Sequence, residues 1–250
     1  MTRLLILGGT TEASALARTV AGAGIPAVFS YAGRTGAPVG QPLATRIGGF
    51  GGVEGLIAYL RGEAITHVID ATHPFAAQMS RNAVEACART GIPLCALERP
   101  AWVAGPGDDW RHVPDIPAAV DALPEDPARV FLAIGKQNLI PFSAKPRHHY
   151  LLRLVDPPDG PLPLPDAQAV IARGPFTEAG DLALMRGHRI THVVAKNAGG
   201  AGAEAKLKAA RTLGLPVILV DRPAVPDRTV RATVGGVMGW LKAHPARLGE

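Results

Sequence analysis

Short runs of β-branched and aliphatic residues alternate along this chain with longer stretches rich in Ala and Leu, a pattern that predicts βαβ units around a parallel sheet. In the first half the runs predict strands near 3–8, 26–30, 66–70 and 94–98, with helices near 11–23, 52–62 and 75–90 and a further strand just ahead of Gly48. In the second half strands are predicted near 129–134, 149–154, 168–172, 191–195 and 217–221, and helices near 177–187 and 202–213. The Pro-rich stretch 103–127 reads as a connector, 157–161 as a loop, and 234–241 as a closing helix able to pack back across the domain boundary. The longest apolar runs, such as Leu4 to Leu7 and Val217 to Val220, are strand-sized and far from the roughly 20 residues of a membrane span, so no membrane partner is expected.

The pattern also repeats. Ile65-Thr66-His67-Val68-Ile69 returns as Ile190-Thr191-His192-Val193-Val194, and Gly91-Ile92-Pro93 through Glu98-Arg99-Pro100 returns as Gly214-Leu215-Pro216 through Asp221-Arg222-Pro223. The opening Arg3-Leu4-Leu5-Ile6-Leu7-Gly8 is echoed by Arg129 to Gly135. The expected architecture is therefore α/β: two related Rossmann-like domains with parallel sheets and a cleft between them, divided as 1–112 and 113–250.

Composition narrows the class. With 250 residues, 47% apolar and 19% charged, the chain is globular rather than disordered or collagen-like. Its N-terminus reads as a strand running into a Gly turn and not as a signal peptide, which makes the cytoplasm the expected location. Cys87 and Cys95 fit neither a disulfide framework nor a zinc site and are expected in the core. The net charge of +5 comes from scattered Lys and Arg, with one dense group at Lys145-Pro146-Arg147-His148-His149 that suits an anionic partner. Aromatic residues, 5% of the chain, are too dispersed for a stacking platform, so a polyanionic small molecule fits better than nucleic acid. Oligomeric state is not encoded legibly, and a monomer is the starting assumption.

In open α/β sheets ligands bind beyond the carboxyl ends of the strands, which directs attention to the residues after each one. Gly8-Gly9-Thr10-Thr11-Glu12-Ala13 departs from G-x-G-x-x-G but offers bare backbone and a helix N-terminus to a pyrophosphate. The alternative is a tight turn with Thr10 as N-cap. Glu12 would repel phosphate and is expected to turn away, toward a ribose or the nicotinamide end. After the second strand, Ser30 and Arg34 stand where an NAD enzyme usually has Asp or Glu, which favours a 2′-phosphate and hence NADP. Gly49 and Phe50, within Gly48 to Gly52, either let the backbone lie against a ligand or form a flexible turn. Thr72 and His73 follow the strand ending at Asp70; they form either a functional edge or a helix start with Thr72 as cap and Pro74 in the first turn. In the second half Lys136, Lys196 and the turn Gly174-Pro175-Phe176-Thr177 follow strands and are expected to open toward one cleft. The chain has no P-loop, no H-E-x-x-H, no G-x-S-x-G and no Tyr/Lys pair of short-chain dehydrogenases.

Ile6 to Glu12, Asp70-Ala71-Thr72-His73-Pro74-Phe75-Ala76, Arg99 to Trp102, Gly135-Lys136, Gly174-Pro175-Phe176 and Lys196-Asn197 together resemble the precorrin-6A reductase family of cobalamin biosynthesis across essentially the whole chain. The resemblance implies NADPH-dependent reduction of one double bond of the tetrapyrrole-derived macrocycle to give precorrin-6B, with no flavin or metal. It implies that Gly8, Gly9, Thr10 and Thr11 hold the pyrophosphate, that Ser30 and Arg34 hold the adenosine phosphate, and that Thr72 with His73 holds the nicotinamide end. Lys136, Lys196 and Arg153 would grip substrate carboxylates, with Phe176 and Asn197 beside them, and His73, Lys136 or water would supply the proton. The rivals are a non-catalytic two-domain module that binds an anionic ligand, and a reductase or epimerase with another substrate.

Overall fold

A computed structural model describes residues 2–33, 39–158 and 160–245. The chain forms two compact units, Met1–Pro100 with Ala224–Glu250, and Ala101–Pro223. Each is built on a six-stranded sheet in which every pairing is parallel.

The first unit contains β1 (Leu4–Leu7), α1 (Thr11–Gly22), β2 (Ala27–Tyr31), β3 (Ala44–Ile47), α2 (Gly52–Gly62), β4 (His67–Asp70), α3 (Ala77–Thr90) and β5 (Leu94–Leu97). Leu4 and Ile6 pack on one face of the sheet with Leu16, Val20 and Trp240, while Leu5 and Leu7 pack on the other with Leu56, Leu60 and Ala83. Burial on both faces explains why these strands are continuous apolar runs rather than alternating ones. Helix α1 buries Ala13, Leu16, Ala17 and Val20, the single stripe of a 3.6-residue period.

The second unit contains β6 (Trp110–Val113), α4 (Ile116–Asp121), β7 (Arg129–Ala133), β8 (His149–Leu154), β9 (Ala167–Ile171), α5 (Glu178–Gly187), β10 (His192–Lys196), α6 (Ala205–Leu213) and β11 (Val217–Val220). The chain then returns to the first unit with β12 (Thr229–Arg231) and α7 (Val234–Ala243). The strand orders are β12-β5-β4-β1-β2-β3 and β6-β11-β10-β7-β8-β9.

The expected boundary between 112 and 113 is corrected by these ladders. Part of the stretch read as a connector is strand β6, paired with β11, and helix α4; β12 pairs with β5, and α7 buries Val237 and Trp240 in the core of the first unit. A single cut at 112 would sever both edge pairings and expose that helix. The repeat itself has a structural cause. The Thr66 hydroxyl bonds the main chain of Arg3 at both N–H and C=O, and Thr191 does the same to Arg129, so each I-T-H segment anchors the first strand of its half. No helix among the described residues is long and apolar enough to cross a membrane.

Candidate active site

In the first sheet the order 3-2-1-4-5 reverses at β1, and the carboxyl end of β1 is the turn Gly8–Thr10. Gly8 is required for packing: a Cβ there would lie 2.1 Å from Phe29 Cζ. Gly9 supplies the bare backbone. Its φ is +125°, and a Cβ would meet nothing within 4 Å, so this peptide faces open space. Thr10 does act as N-cap, accepting from Ala13 N–H at 3.1 Å, while its hydroxyl donates to Ala71 O at 2.9 Å and so ties the turn to β4. What remains for an anion is the α1 N-terminus itself.

Glu12 does not turn away from that terminus, because its carboxylate accepts its own backbone N–H in the first turn of α1. Its carboxylate takes a 2.6 Å hydrogen bond from Arg99 Nη1 and a 3.0 Å bond from Thr11 Oγ1. Partial burial pushes the Glu12 carboxyl up, but its backbone hydrogen bond and the Arg99 guanidinium outweigh burial and hold it below the ordinary value. Glu12 is thus a neutralised anion. Arg99, which the repeat flagged without a role, is the residue that balances the Glu12 charge beside the glycine turn.

At the ends of β2 and β3, Ser30 is buried and its Oγ accepts from Arg46 Nη1 at 2.8 Å. Arg46 also donates to Gly48 O at 2.9 Å and Gly49 O at 3.0 Å, and its guanidinium sits 3.8 Å over the Phe50 ring. Gly49 and Phe50 therefore form a braced turn, not a loose one. Arg34 lies outside the described residues. Sequence reasoning missed Arg46, since a lone Arg inside a short strand carries no motif.

After β4 the chain does not enter a helix at once, so the alternative with Thr72 as cap is corrected. Helix α3 starts at Ala77, and Thr72 instead gives its N–H and O–H to Asp70 Oδ1, at 3.2 and 2.7 Å. Asp70 is buried; its Oδ2 has no hydrogen-bond partner and lies 4.0 Å from Arg228 Nε. Arg228, brought in by the returning segment before β12, also donates to Glu98 Oε2 at 2.7 Å. His73 is exposed on this loop. Its Nδ1 accepts the Phe75 N–H at 3.2 Å, which leaves the neutral ring's proton on Nε2. Thr10, Glu12, Thr72, Pro74, Leu97 and Arg99 line a small recess at this edge.

In the second unit Lys136 is exposed in a short 3-10 turn after Gly135, and Lys196 ends β10, the strand paired with β7. The two lysines thus leave neighbouring strands at one sheet edge. Three other expectations change. Asn197 is buried and spends its amide on Trp102, accepting from its N–H at 2.8 Å and donating to its C=O at 3.2 Å. Arg153 is buried against Asp181, its guanidinium 3.7 Å over Phe176 and 5.0 Å from the Phe131 ring, so it is a core ion pair and not a substrate grip. Phe176 covers that cation. The basic group at 145–149 is consumed internally: Lys145 and Arg147 bond Glu125, His148 Nδ1 accepts from Ala128 N–H, and His149 pairs with Asp166. Burial pushes the thiols of Cys87 and Cys95 up to about 12 and about 11, as inert core residues require.

The family described as Precorrin-6x reductase CbiJ/CobK matches residues 3–242. A precorrin-6A reductase of Rhodobacter capsulatus is 74% identical, over 98% of each chain. One from a Sinorhizobium species is 51% identical over 90% of this chain and 87% of its own. A solved structure titled CobK precorrin-6A reductase superposes with a TM-score of 0.96 at 74% identity, covering 98% of both chains.

Proposed function

The chain belongs to the precorrin-6A reductase family of cobalamin biosynthesis, and we propose that it uses NADPH to reduce one double bond of precorrin-6A, giving precorrin-6B. The observation that carries the cofactor reading is the bare Gly9 peptide and α1 N-terminus at the point where the strand order reverses. The residues fit the group: of the carboxylates at this edge Glu12 is paired with Arg99 and Glu98 with Arg228, and a side chain on Gly9 would meet nothing within 4 Å.

NADPH, when bound, supplies the hydride. The protein's part is positioning and charge placement. The backbone of Gly9 to Thr11 binds the pyrophosphate. Asp70 holds Thr72 by two hydrogen bonds and so sets the loop that presents His73 at the nicotinamide end. His73 acts there as a hydrogen-bond donor through Nε2, because an imidazolium would forfeit the Phe75 N–H bond. Lys136 and Lys196 bind carboxylates of the macrocycle, and His73, Lys136 or water supplies the proton that completes the reduction.

The test is a titration with NADPH and NADH followed by anaerobic addition of precorrin-6A while the nicotinamide absorbance is recorded. Oxidation that requires the tetrapyrrole supports the reading. Tight NADPH binding with no oxidation in its presence removes the assigned reaction, and no binding of either nucleotide removes the dinucleotide site.

A further inference from the structure

Arg228 has no part in the steps above, yet it stands behind the loop on which they depend. Asp70 ends β4, and the pairing of that strand with β1 and β5 fixes its main chain. Its side chain is 2% exposed and that of Arg228 10%, so both charges are largely withdrawn from water. The two carboxylate oxygens of Asp70 have different partners: Oδ1 accepts the N–H and O–H of Thr72, at 3.2 and 2.7 Å, and Oδ2 lies 4.0 Å from Arg228 Nε. Neither Asp70 Oδ2 nor Arg228 Nε has a hydrogen-bond partner among the described residues. The other end of the guanidinium donates to Glu98 Oε2 at 2.7 Å, and the chain around Arg228 is fixed as it enters β12, where Thr229 pairs with Cys95. One cation thus stands between two carboxylates.

A buried carboxylate keeps its place only where donors or a cation compensate it. Thr72 gives two donors to one oxygen of Asp70, and the other oxygen has Arg228. Without that cation the carboxylate is drawn toward water, which withdraws the acceptor from Thr72, the residue directly before His73. The second half offers a comparison. Where the repeat has Asp70 in the first half it has Ala195 in the second. There Arg222 holds the loop after β10 directly, donating to the carbonyls of Asn197 and Ala198 at 2.9 and 3.1 Å. Each half therefore steadies this loop with an arginine from farther along the chain, but the first half does so through a carboxylate that also fixes a hydroxyl. Resting on the reading that His73 works at the nicotinamide end, we infer that Arg228 is a positioning residue for hydride transfer. It holds the Asp70 carboxylate in the orientation that fixes Thr72 and, through Thr72, the His73 loop.

The experiment is a single turnover. Enzyme carrying one equivalent of NADPH is mixed anaerobically with excess precorrin-6A while the nicotinamide absorbance is followed. The amplitude reads the folded, loaded fraction and the rate constant reads the transfer, which slowing by deuterium at C4 of the nicotinamide identifies. Arg228→Gln should lower the rate constant about ten- to a hundredfold, as a displaced contact at the reacting end does. Its dissociation constant for NADPH should stay within about threefold of wild type, because the pyrophosphate is held at α1. Arg228→Lys keeps the charge without the span between two carboxylates, so it should fold even where Arg228→Gln does not and slow the step about three- to tenfold. Adding Thr72→Val to Arg228→Gln should cost no more than the worse single variant, since both act through one loop. Arg81→Gln releases the same returning segment at the Ala224 carbonyl without touching Asp70, and should leave the rate constant unchanged. A wild-type rate constant in both Arg228 variants, whatever the amplitude, would overturn the inference and leave Arg228 a structural brace. Additive losses with Thr72→Val, an equal loss in Arg81→Gln, or NADPH binding weakened in step with the rate would overturn it too. If the wild type transfers no hydride to precorrin-6A, it is the assigned reaction that fails, and this inference with it.

Discussion

Replacing Arg153 by Met separates the two roles this residue could have. The sequence pointed to a substrate contact, whereas the fold buries its side chain to 7% exposure against an Asp181 side chain that is 5% exposed. Asp181 Oδ2 already lacks a hydrogen-bond partner, so removal of the guanidinium leaves a buried carboxylate with both oxygens deprived of a cation. Breaking a buried pair from one side costs about 3–5 kcal/mol. That is a large share of the roughly 5–15 kcal/mol that holds a domain together. Methionine keeps most of the apolar packing with Phe131 and Phe176, so the loss is chiefly electrostatic. With a urea dependence of about 1–3 kcal/mol per molar, the unfolding midpoint of the second unit should fall by roughly 1–5 M. Trp102 and Trp110 lie in that unit and Trp240 in the other, so a Trp240→Phe background confines the fluorescence signal to the relevant transition. Arg153→Met combined with Asp181→Leu should regain most of the stability, because a well-packed apolar pair can replace a buried ionic one. In that double variant the KM for precorrin-6A should match wild type. A loss under about 1 kcal/mol in the single variant would show that the pair is not desolvated, and a KM raised tenfold in the stable double variant would restore Arg153 to the substrate site.

Gly8→Ala should destabilise the first unit by about 1–3 kcal/mol, since its Cβ would overlap the buried Phe29 ring, and Phe29→Leu in the same chain should recover part of it; thermal melts of the three variants check this. Asn197→Ala, by orphaning the N–H and C=O of Trp102, should cost about 1–3 kcal/mol and speed hydrogen exchange at the Trp102 amide, and unchanged exchange would refute the clamp. Burial lowers the pKa of His67 and His192, and burial together with Lys145 lowers that of His148. The folded state therefore binds these protons less readily than the unfolded chain, and stability present above the ordinary value of 6.5 should decline as pH falls below it. Denaturation midpoints between about pH 8 and pH 5 measure the decline, and His67→Gln should flatten it.

The core strands were legible because burial on both faces of a parallel sheet writes itself as an uninterrupted apolar run, as in Leu4–Leu7 and Val217–Val220. The glycine turn and the His73 loop were legible because they follow such runs. Strands β6 and β12 were not, since both lie at a sheet edge, and β6 reads Trp-Arg-His-Val with two exposed middle residues. Their partners lie more than a hundred positions away, and pairing at that separation leaves no local periodicity.

The same division holds at the site. Which residue types stand after each strand was determined by the sequence alone, and with it the repeat, the α/β class and the family resemblance. Only the tertiary structure decided which of those polar groups satisfy one another. Asn197 follows a strand as Lys136 does, and Arg153 was reached only through the family resemblance, yet the Trp102 main chain claims the first and Asp181 the second. Arg46 had no motif, yet the fold sets it beside Ser30 with no carboxylate among its hydrogen-bond partners. The reason is the cost of desolvation: a charge or amide that folding buries must find a partner within the protein, and that partner is chosen by three-dimensional neighbourhood rather than by sequence.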